Sequence, residues 1–341
     1  MRAAVFEGPG NVRVQDVPDP VIELPTDALV RVTHAGICGS DLWAYRGYGT
    51  RIPGQRIGHE FVGVVTDVGA DVSTVRPGDV VVSPFVWSDG VCDYCRGGLQ
   101  TSCEDGGFWG EPGSDGAQGE AVRVPYADGT LVIVPKSLHG AEERVLPLAD
   151  VMPAGHHAAL AGGVRGGSRV AVIGDGAVGL CAVMAARRLG AARVLILGHH
   201  SDRLKVAWDF GATDVLSGRG DEAIEEVMAL TGGVDVALEC VGAQGAFDTA
   251  FAIVRDGGTV GYVGVPHAVD GIDVGQLFGR NIGIRGGVAP VRAYIPALLT
   301  DVINGTLDAS PVFDVGLGLE DTVAGYRAMD TRTALKVLVT P

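Results

Sequence analysis

Arg169-Val170-Ala171-Val172-Ile173-Gly174-Asp175-Gly176-Ala177-Val178-Gly179-Leu180 is the stretch that decides the fold. An apolar run ends in G-x-G-x-x-G at Gly174, Gly176 and Gly179, and a second apolar run follows at once. Strand, glycine turn and helix in that order are the context a dinucleotide fingerprint requires. The first glycine permits the turn, the second lets the backbone approach a pyrophosphate, and the third lets helix pack on strand. The helix N-terminus then favours the anion. Gly174, Gly176, Ala177, Val178 and Gly179 are the candidate cofactor contacts. A glycine-rich turn with no ligand is the plainer alternative, and the surroundings weigh against it. Strands are expected at 169–173, 193–197, 214–216, 234–239, 258–263 and 282–285. Helices are expected at 176–189, 203–210, 222–230 and 246–254. This alternation predicts a parallel, doubly wound sheet.

The end of the second strand bears on the choice of cofactor. NAD sites usually place Asp or Glu there, to take the ribose 2′-hydroxyl. This chain has Leu197-Gly198-His199-His200-Ser201-Asp202-Arg203. Gly198 leaves room for a 2′-phosphate, which His199, His200 and Arg203 can contact, Arg in bidentate fashion. This favours NADP, with NAD as the alternative should a shifted register put Asp202 on the ribose. An aspartate in place of Gly198 is expected to move the preference toward NAD.

Upstream the pattern differs. Residues 1–135 carry short β-branched runs at 1–6, 12–15, 28–35, 59–68, 80–84, 121–124 and 131–134, punctuated by Gly, Pro and Asp. This predicts a partly open β-barrel, so the fold class is α/β with two domains. Two long loops, 36–58 and 85–120, interrupt it, and long loops in a compact domain tend to be functional. The first carries Gly36-Ile37-Cys38-Gly39-Ser40-Asp41, and Gly58-His59-Glu60 follows at its end. Cys, His and Glu are zinc ligand types, and a catalytic zinc needs three protein ligands and an open position. Asp150 is a farther candidate, or else a helix N-cap. Cys38 and His59 taken singly read as a buried thiol and a core histidine. The second loop carries Cys92-x2-Cys95-x7-Cys103. A helical stretch is expected from 141, continuing through 155–161. Beyond 290 a single helix, 291–303, leads to a last strand that rejoins the first domain.

Composition sets outer bounds. The 341 residues are 47% apolar and include 53 glycines, which suits turn-rich α/β structure rather than a helical bundle. A formal charge of -15 argues against a nucleic-acid binder. The N-terminal residues reach Glu7 before any apolar core forms, and 170–189 is interrupted by charges and glycines, so a cytoplasmic chain with no membrane span is expected. Clustered cysteines in such a chain read as metal ligands rather than disulfides.

The Cys38 and His59-Glu60 segments, the cysteine cluster and the fingerprint, in that order, resemble the zinc-dependent medium-chain alcohol dehydrogenase family of the bacterial type, over nearly the full length. The resemblance implies a GroES-like barrel over 1–152 and 290–341, carrying the zinc sites, and a Rossmann domain over 153–289. It implies Cys38, His59 and Asp150 as ligands of a catalytic zinc. Glu60 would be the nearby carboxylate, and Ser40 the hydroxyl that hydrogen-bonds the alcohol and starts a proton relay. Many members continue that relay with a histidine five residues after the Cys; here Trp43 stands there, a departure that leaves water, the cofactor ribose or another histidine to carry the proton. Trp43 and Trp109 read as pocket lining, or as loop packing. Asp41 reads as a group that orients His59. Lys336 and Arg285 read as solvated surface charges, with contact to cofactor phosphates as the alternative.

In the family the structural zinc lobe is C-x2-C-x2-C-x7-C. Alignment on the last spacing puts Asp89 first, followed by Cys92, Cys95 and Cys103. A four-ligand site, a three-cysteine site with water and an empty lobe all stay open. The implied reaction is reversible hydride transfer between a secondary alcohol or polyol and NADP, giving a ketone or aldehyde, by a homo-oligomer (tetramer or dimer) acting on small molecules. A zinc-free quinone or enone reductase of the same superfamily, and a non-catalytic NADPH-binding protein, are the alternatives.

Overall fold

The computed structural model describes residues 1–267 and 269–341. They form two compact units, Met1–Asp150 with Pro290–Pro341, and Val151–Ala289. The break falls at Asp150, against 152 in the sequence reading.

The first unit is built on Ala28–Ile37, its longest strand. Three strands pair with it antiparallel: Glu60–Val68, Ala121–Val124 and Val337–Thr340. Val80–Ser83 and Val132–Ile133 extend the sheet on one side, and Val315–Gly318 on the other. A smaller sheet orders Asn11–Asp16, Arg2–Gly8 and Gln55–Arg56. Side chains alternate along the central strand: Val30 and Val32 are buried and Arg31 is exposed. Toward its end Ala35, Gly36 and Ile37 are all buried. This end, covered on both faces, is where the candidate metal centre begins.

The second unit is a six-stranded parallel sheet. Across it run Asp214–Leu216, Arg193–Leu197, Arg169–Ile173, Val234–Glu239, Val254–Tyr262 and Gly283–Gly286. In chain order this is 3-2-1-4-5-6, the doubly wound arrangement that binds dinucleotides at the carboxyl ends of its strands. The helix Ala177–Arg188 opens at Gly176. The apolar core of this unit includes Leu195, Ala237, Phe247, Ile253 and Val260.

Four of the segments that differ from the sequence reading have a local reason. The helix expected from 141 is a pair of 3-10 turns, Glu142–Arg144 and Leu146–Ala149, and the α-helix starts only at Val151. Pro147 lacks an N–H and pushes the residue before it away from α geometry. Helix Val274–Arg280 has apolar Val274, Leu277 and Phe278 at helical spacing, but it is only 7 residues long and holds Gly275 and Gly279, so the period is too short to stand out. Helix Thr322–Asp330 contains Gly325, a poor helix former. It packs closely, since a Cβ there would lie 2.8 Å from Ile37 Cδ1. Strand Val315–Gly318 alternates valine and leucine with glycine and is too short to stand out.

Candidate metal centre and cofactor turn

Antiparallel pairing of Ala28–Ile37 with Glu60–Val68 sets Gly36 opposite Glu60. Cys38, just past the first strand, and His59, just before the second, therefore leave the sheet at the same end. Gly58 allows the bend before His59: its φ is +98°, and a Cβ there would lie 2.7 Å from the Gln118 backbone nitrogen. Gly36 is bare for a similar reason, because the Glu60 carboxylate fills the place of its Cβ. Asp150 arrives from the buried turn Leu146–Ala149, which is tied down by the Phe85 N–H donating to Ala149 O (3.0 Å).

The three segments converge. Asp150 Oδ2 is 3.3 Å from Cys38 Sγ and 3.3 Å from His59 Nε2. With Glu60 included, one ligand atom from each residue lies within 4.8 Å of all the others. Cys38, His59 and Glu60 are buried and the Asp150 side chain is 13% exposed. The donor set suits a divalent cation. A thiol, an imidazole and two carboxylates crowded out of water are costly unless a cation binds them. Glu60 Oε2, which is buried, has no hydrogen-bond partner. Burial pushes the Cys38 thiol above its usual value, and the Asp150 charge adds to this. A metal reverses both effects by binding the thiolate. Burial alone would lower His59, but the Asp41 charge and the Asp150 contact raise it well above the ordinary imidazole range.

A second group of side chains holds these donors. Asp41 Oδ2 accepts from the Cys38 N–H (3.0 Å), and Asp41 Oδ1 faces His59 Nδ1 at 3.4 Å. Arg51 Nη2 (2.9 Å) and Gln118 Nε2 (3.3 Å) donate to the same carboxylate. Burial works against ionisation of Asp41, yet His59 and Arg51 hold it well below the carboxylate range. Tyr326 Oη donates to Gln118 Oε1 (2.9 Å), which orients the amide. Asp41 thus stands where its sequence position put it, beside the histidine.

Lys336 corrects the sequence reading. It is 1% exposed, not a surface charge, and its Nζ donates to Glu60 Oε1 (2.7 Å) and Ile37 O (3.2 Å). Burial favours the neutral amine, but the Glu60 charge keeps Lys336 protonated above its usual range. The signal was present in Ala334-Leu335-Lys336-Val337-Leu338-Val339, one charge inside an apolar strand. Arg51, Gln118 and Tyr326 had no such marker. Arg285 is exposed.

Ser40 Oγ lies 3.5 Å from His59 Nε2. Trp43 is half-buried, with Tyr48 edge-on to it (5.9 Å between centroids). Trp109 belongs to the barrel core. It is 2% exposed, packs against Phe61 and Trp87, and donates its Nε1–H to Pro84 O (2.9 Å). Core packing is therefore its role, rather than pocket lining.

In the second long loop the ligand atoms of Asp89, Cys92, Cys95 and Cys103 lie within 4.8 Å of one another. The Asp89 N–H donates to Cys103 Sγ (3.2 Å), and Asp89 Oδ1 accepts from the N–H groups of Val91 (2.8 Å) and Cys92 (3.1 Å). Burial opposes ionisation of Asp89, but these backbone donors pull it down to about 2. All the cysteines are free thiols. Asp89 stands at the first-ligand position that the family resemblance implies, within reach of the three cysteines.

The fingerprint turn has the form its glycines require. Gly174 has φ +110°, and a Cβ on Gly179 would collide with Gly174 O. At Gly176 φ is -74° and nothing lies within 4 Å of a Cβ. Neither backbone nor packing demands glycine at Gly176, whereas a pyrophosphate approaching the helix N-terminus does. The turn thus fits a dinucleotide. At the second strand's end, Asp175 Oδ2 accepts the N–H groups of His199 (2.6 Å) and His200 (2.8 Å), and His200 Nδ1 is 2.9 Å away. Burial would raise Asp175, and the His200 and His199 N–H groups bring it below the usual range. The room expected at Gly198 is taken: a Cβ there would lie 2.5 Å from Asp175 Cβ. Replacing Gly198 therefore tests sterics before it tests charge. Asp202 is exposed and pairs with Lys205 (2.8 Å).

The chain is similar to known proteins. The family described as zinc-binding dehydrogenase matches residues 177–303, and the alcohol dehydrogenase GroES-like domain matches residues 24–136. A probable zinc-binding alcohol dehydrogenase of Mycobacterium tuberculosis is 37% identical over 98% of this chain and 86% of its own length. The alcohol dehydrogenase TADH from Thermus sp. ATN1 superposes with a TM-score of 0.93 at 37% identity, covering 100% of this chain and 99% of that one. The 2R,3R-butanediol dehydrogenase of Bacillus subtilis gives 0.85 at 26% identity, covering 100% and 99%. Among the described residues no helix is long and apolar enough to cross a membrane.

Proposed function

The chain belongs to the zinc-dependent medium-chain alcohol dehydrogenase family, and from that premise we propose that it interconverts secondary or polyhydroxy alcohols with their ketones or aldehydes, using NADP as its favoured cofactor and accepting NAD. The family makes it a zinc-dependent enzyme of alcohol and carbonyl oxidoreduction on small molecules with a nicotinamide cofactor. The observation that carries the reading is the meeting of Cys38 Sγ and His59 Nε2 at Asp150 Oδ2, each 3.3 Å away. These residues would hold the zinc, with Glu60 beside it. Zinc supplies a Lewis acid that polarises the substrate oxygen, and the nicotinamide supplies the hydride acceptor. Asp41 fixes the ring of His59, and with it the direction of Nε2. Ser40 Oγ hydrogen-bonds the substrate hydroxyl and takes its proton while giving up its own to water; Trp43, a donor only through its indole N–H, passes none onward. Asp89, Cys92, Cys95 and Cys103 would bind a second zinc that clamps the loop and does no chemistry.

The preference for secondary and polyhydroxy alcohols draws support from the butanediol dehydrogenase likeness. That for NADP rests on His199, His200 and Arg203 at a strand end with no acid of its own. Metal analysis with a panel of primary, secondary and polyhydroxy alcohols, each with both cofactors, tests the reading. Zinc-loaded protein that reduced activated alkenes or quinones and turned over no alcohol would overturn it.

A further inference from the structure

Asp175 is the only polar residue in Gly174-Asp175-Gly176-Ala177-Val178-Gly179. Its backbone belongs to the phosphate turn, but its side chain crosses to the end of the second strand. There Oδ2 accepts the His199 and His200 N–H groups (2.6 and 2.8 Å). His200 Nδ1 stands 2.9 Å and Arg203 Nη1 3.8 Å from the carboxylate. The Asp175 side chain is 10% exposed. A Cβ at position 198 would lie 2.7 Å from Oδ2. The volume where a dinucleotide fold ordinarily places an acid from the second strand thus holds an acid from the fingerprint itself.

We infer that Asp175 reads the 2′ position of the cofactor's adenosine ribose. This rests on the reading that the second unit binds a dinucleotide. The carboxylate accepts from a 2′-hydroxyl and repels a 2′-phosphate. His199, His200 and Arg203 attract the phosphate, and His200 and Arg203 are held by the same carboxylate. One cluster therefore carries both preferences, and Asp175 sets their balance. A strand end free of acid thereby keeps a carboxylate that suits NAD. Asp175→Asn removes the charge and keeps an oxygen for the two N–H groups.

The test is calorimetric titration of the whole protein with 2′,5′-ADP and with 5′-AMP, which needs no turnover. In Asp175→Asn the affinity for 2′,5′-ADP relative to 5′-AMP should rise about tenfold, or about 1.4 kcal/mol. Asp175→Ser should shift the ratio the same way, and serves should the amide variant not fold. An unchanged ratio, or equal weakening of both ligands, would show Asp175 to be merely a structural clasp and overturn the inference while leaving the dinucleotide reading intact. Failure of the wild type to bind either fragment would remove both.

Discussion

Lys336→Met is the sharpest perturbation of the metal centre that replaces none of its candidate ligands. Lys336 and Glu60 meet at 2.7 Å with side chains 2% and 1% exposed. Removing one partner of such a buried pair costs about 3–5 kcal/mol. Here the cost has a ceiling, because a stranded carboxylate takes a proton instead. Protonating a glutamate of ordinary pKa near 4.3 costs about 1.36 kcal/mol per pH unit above that value, so about 4 kcal/mol at pH 7.5 and about 1.6 kcal/mol at pH 5.5. The sign follows. In the variant the folded-state pKa of Glu60 lies above its unfolded value. The folded state then binds the extra proton, so stability is kept at low pH and lost as pH rises through the folded value. Denaturant unfolding at both pH values checks this, with a chelator present so that no cation replaces the lysine. Adding Glu60→Gln to Lys336→Met should recover most of the loss at pH 7.5 and abolish its pH dependence. A loss under about 1 kcal/mol at pH 7.5, or the same loss at both pH values, would refute an ionised buried pair.

Three further outcomes follow from the same geometry. Cys38→Ser should lower bound zinc by one per chain and abolish alcohol turnover while leaving 5′-AMP binding unchanged; full activity in that variant would remove Cys38 from the metal. Asp89→Ala should take bound zinc from about two to about one per chain, as read by atomic absorption, and lower the melting temperature, whereas Asp89→Cys should keep both zincs; unchanged stoichiometry in the alanine variant would leave the three cysteines as the whole site. Gly58→Ala places a Cβ at φ +98° and 2.7 Å from the Gln118 nitrogen. It should cost at least about 1–2 kcal/mol from the left-handed backbone alone and weaken zinc retention, measured by competition with a chromogenic chelator.

The residues that read well from sequence are those whose chemistry is carried by short spacing. Cys38, His59-Glu60 and Gly174 to Gly179 are short local motifs, the Cys92, Cys95 and Cys103 spacing lies within one loop, and the family resemblance grouped them. What sequence could not supply was charge balance across segments far apart in the chain. Lys336 reads as a surface cation until the pairing of Val337 with Ile37 places it over Glu60. Asp175 has no assigned role in the glycine motif until the parallel pairing of Ile173 with Leu197 carries its side chain to Gly198. In both cases sheet register determines which charge meets which, and register is a property of the whole sheet rather than of any motif. The same logic accounts for the Gly198 argument. An absent acid at one position says nothing about charge in the space that position faces, because a neighbouring strand can deliver the carboxylate instead.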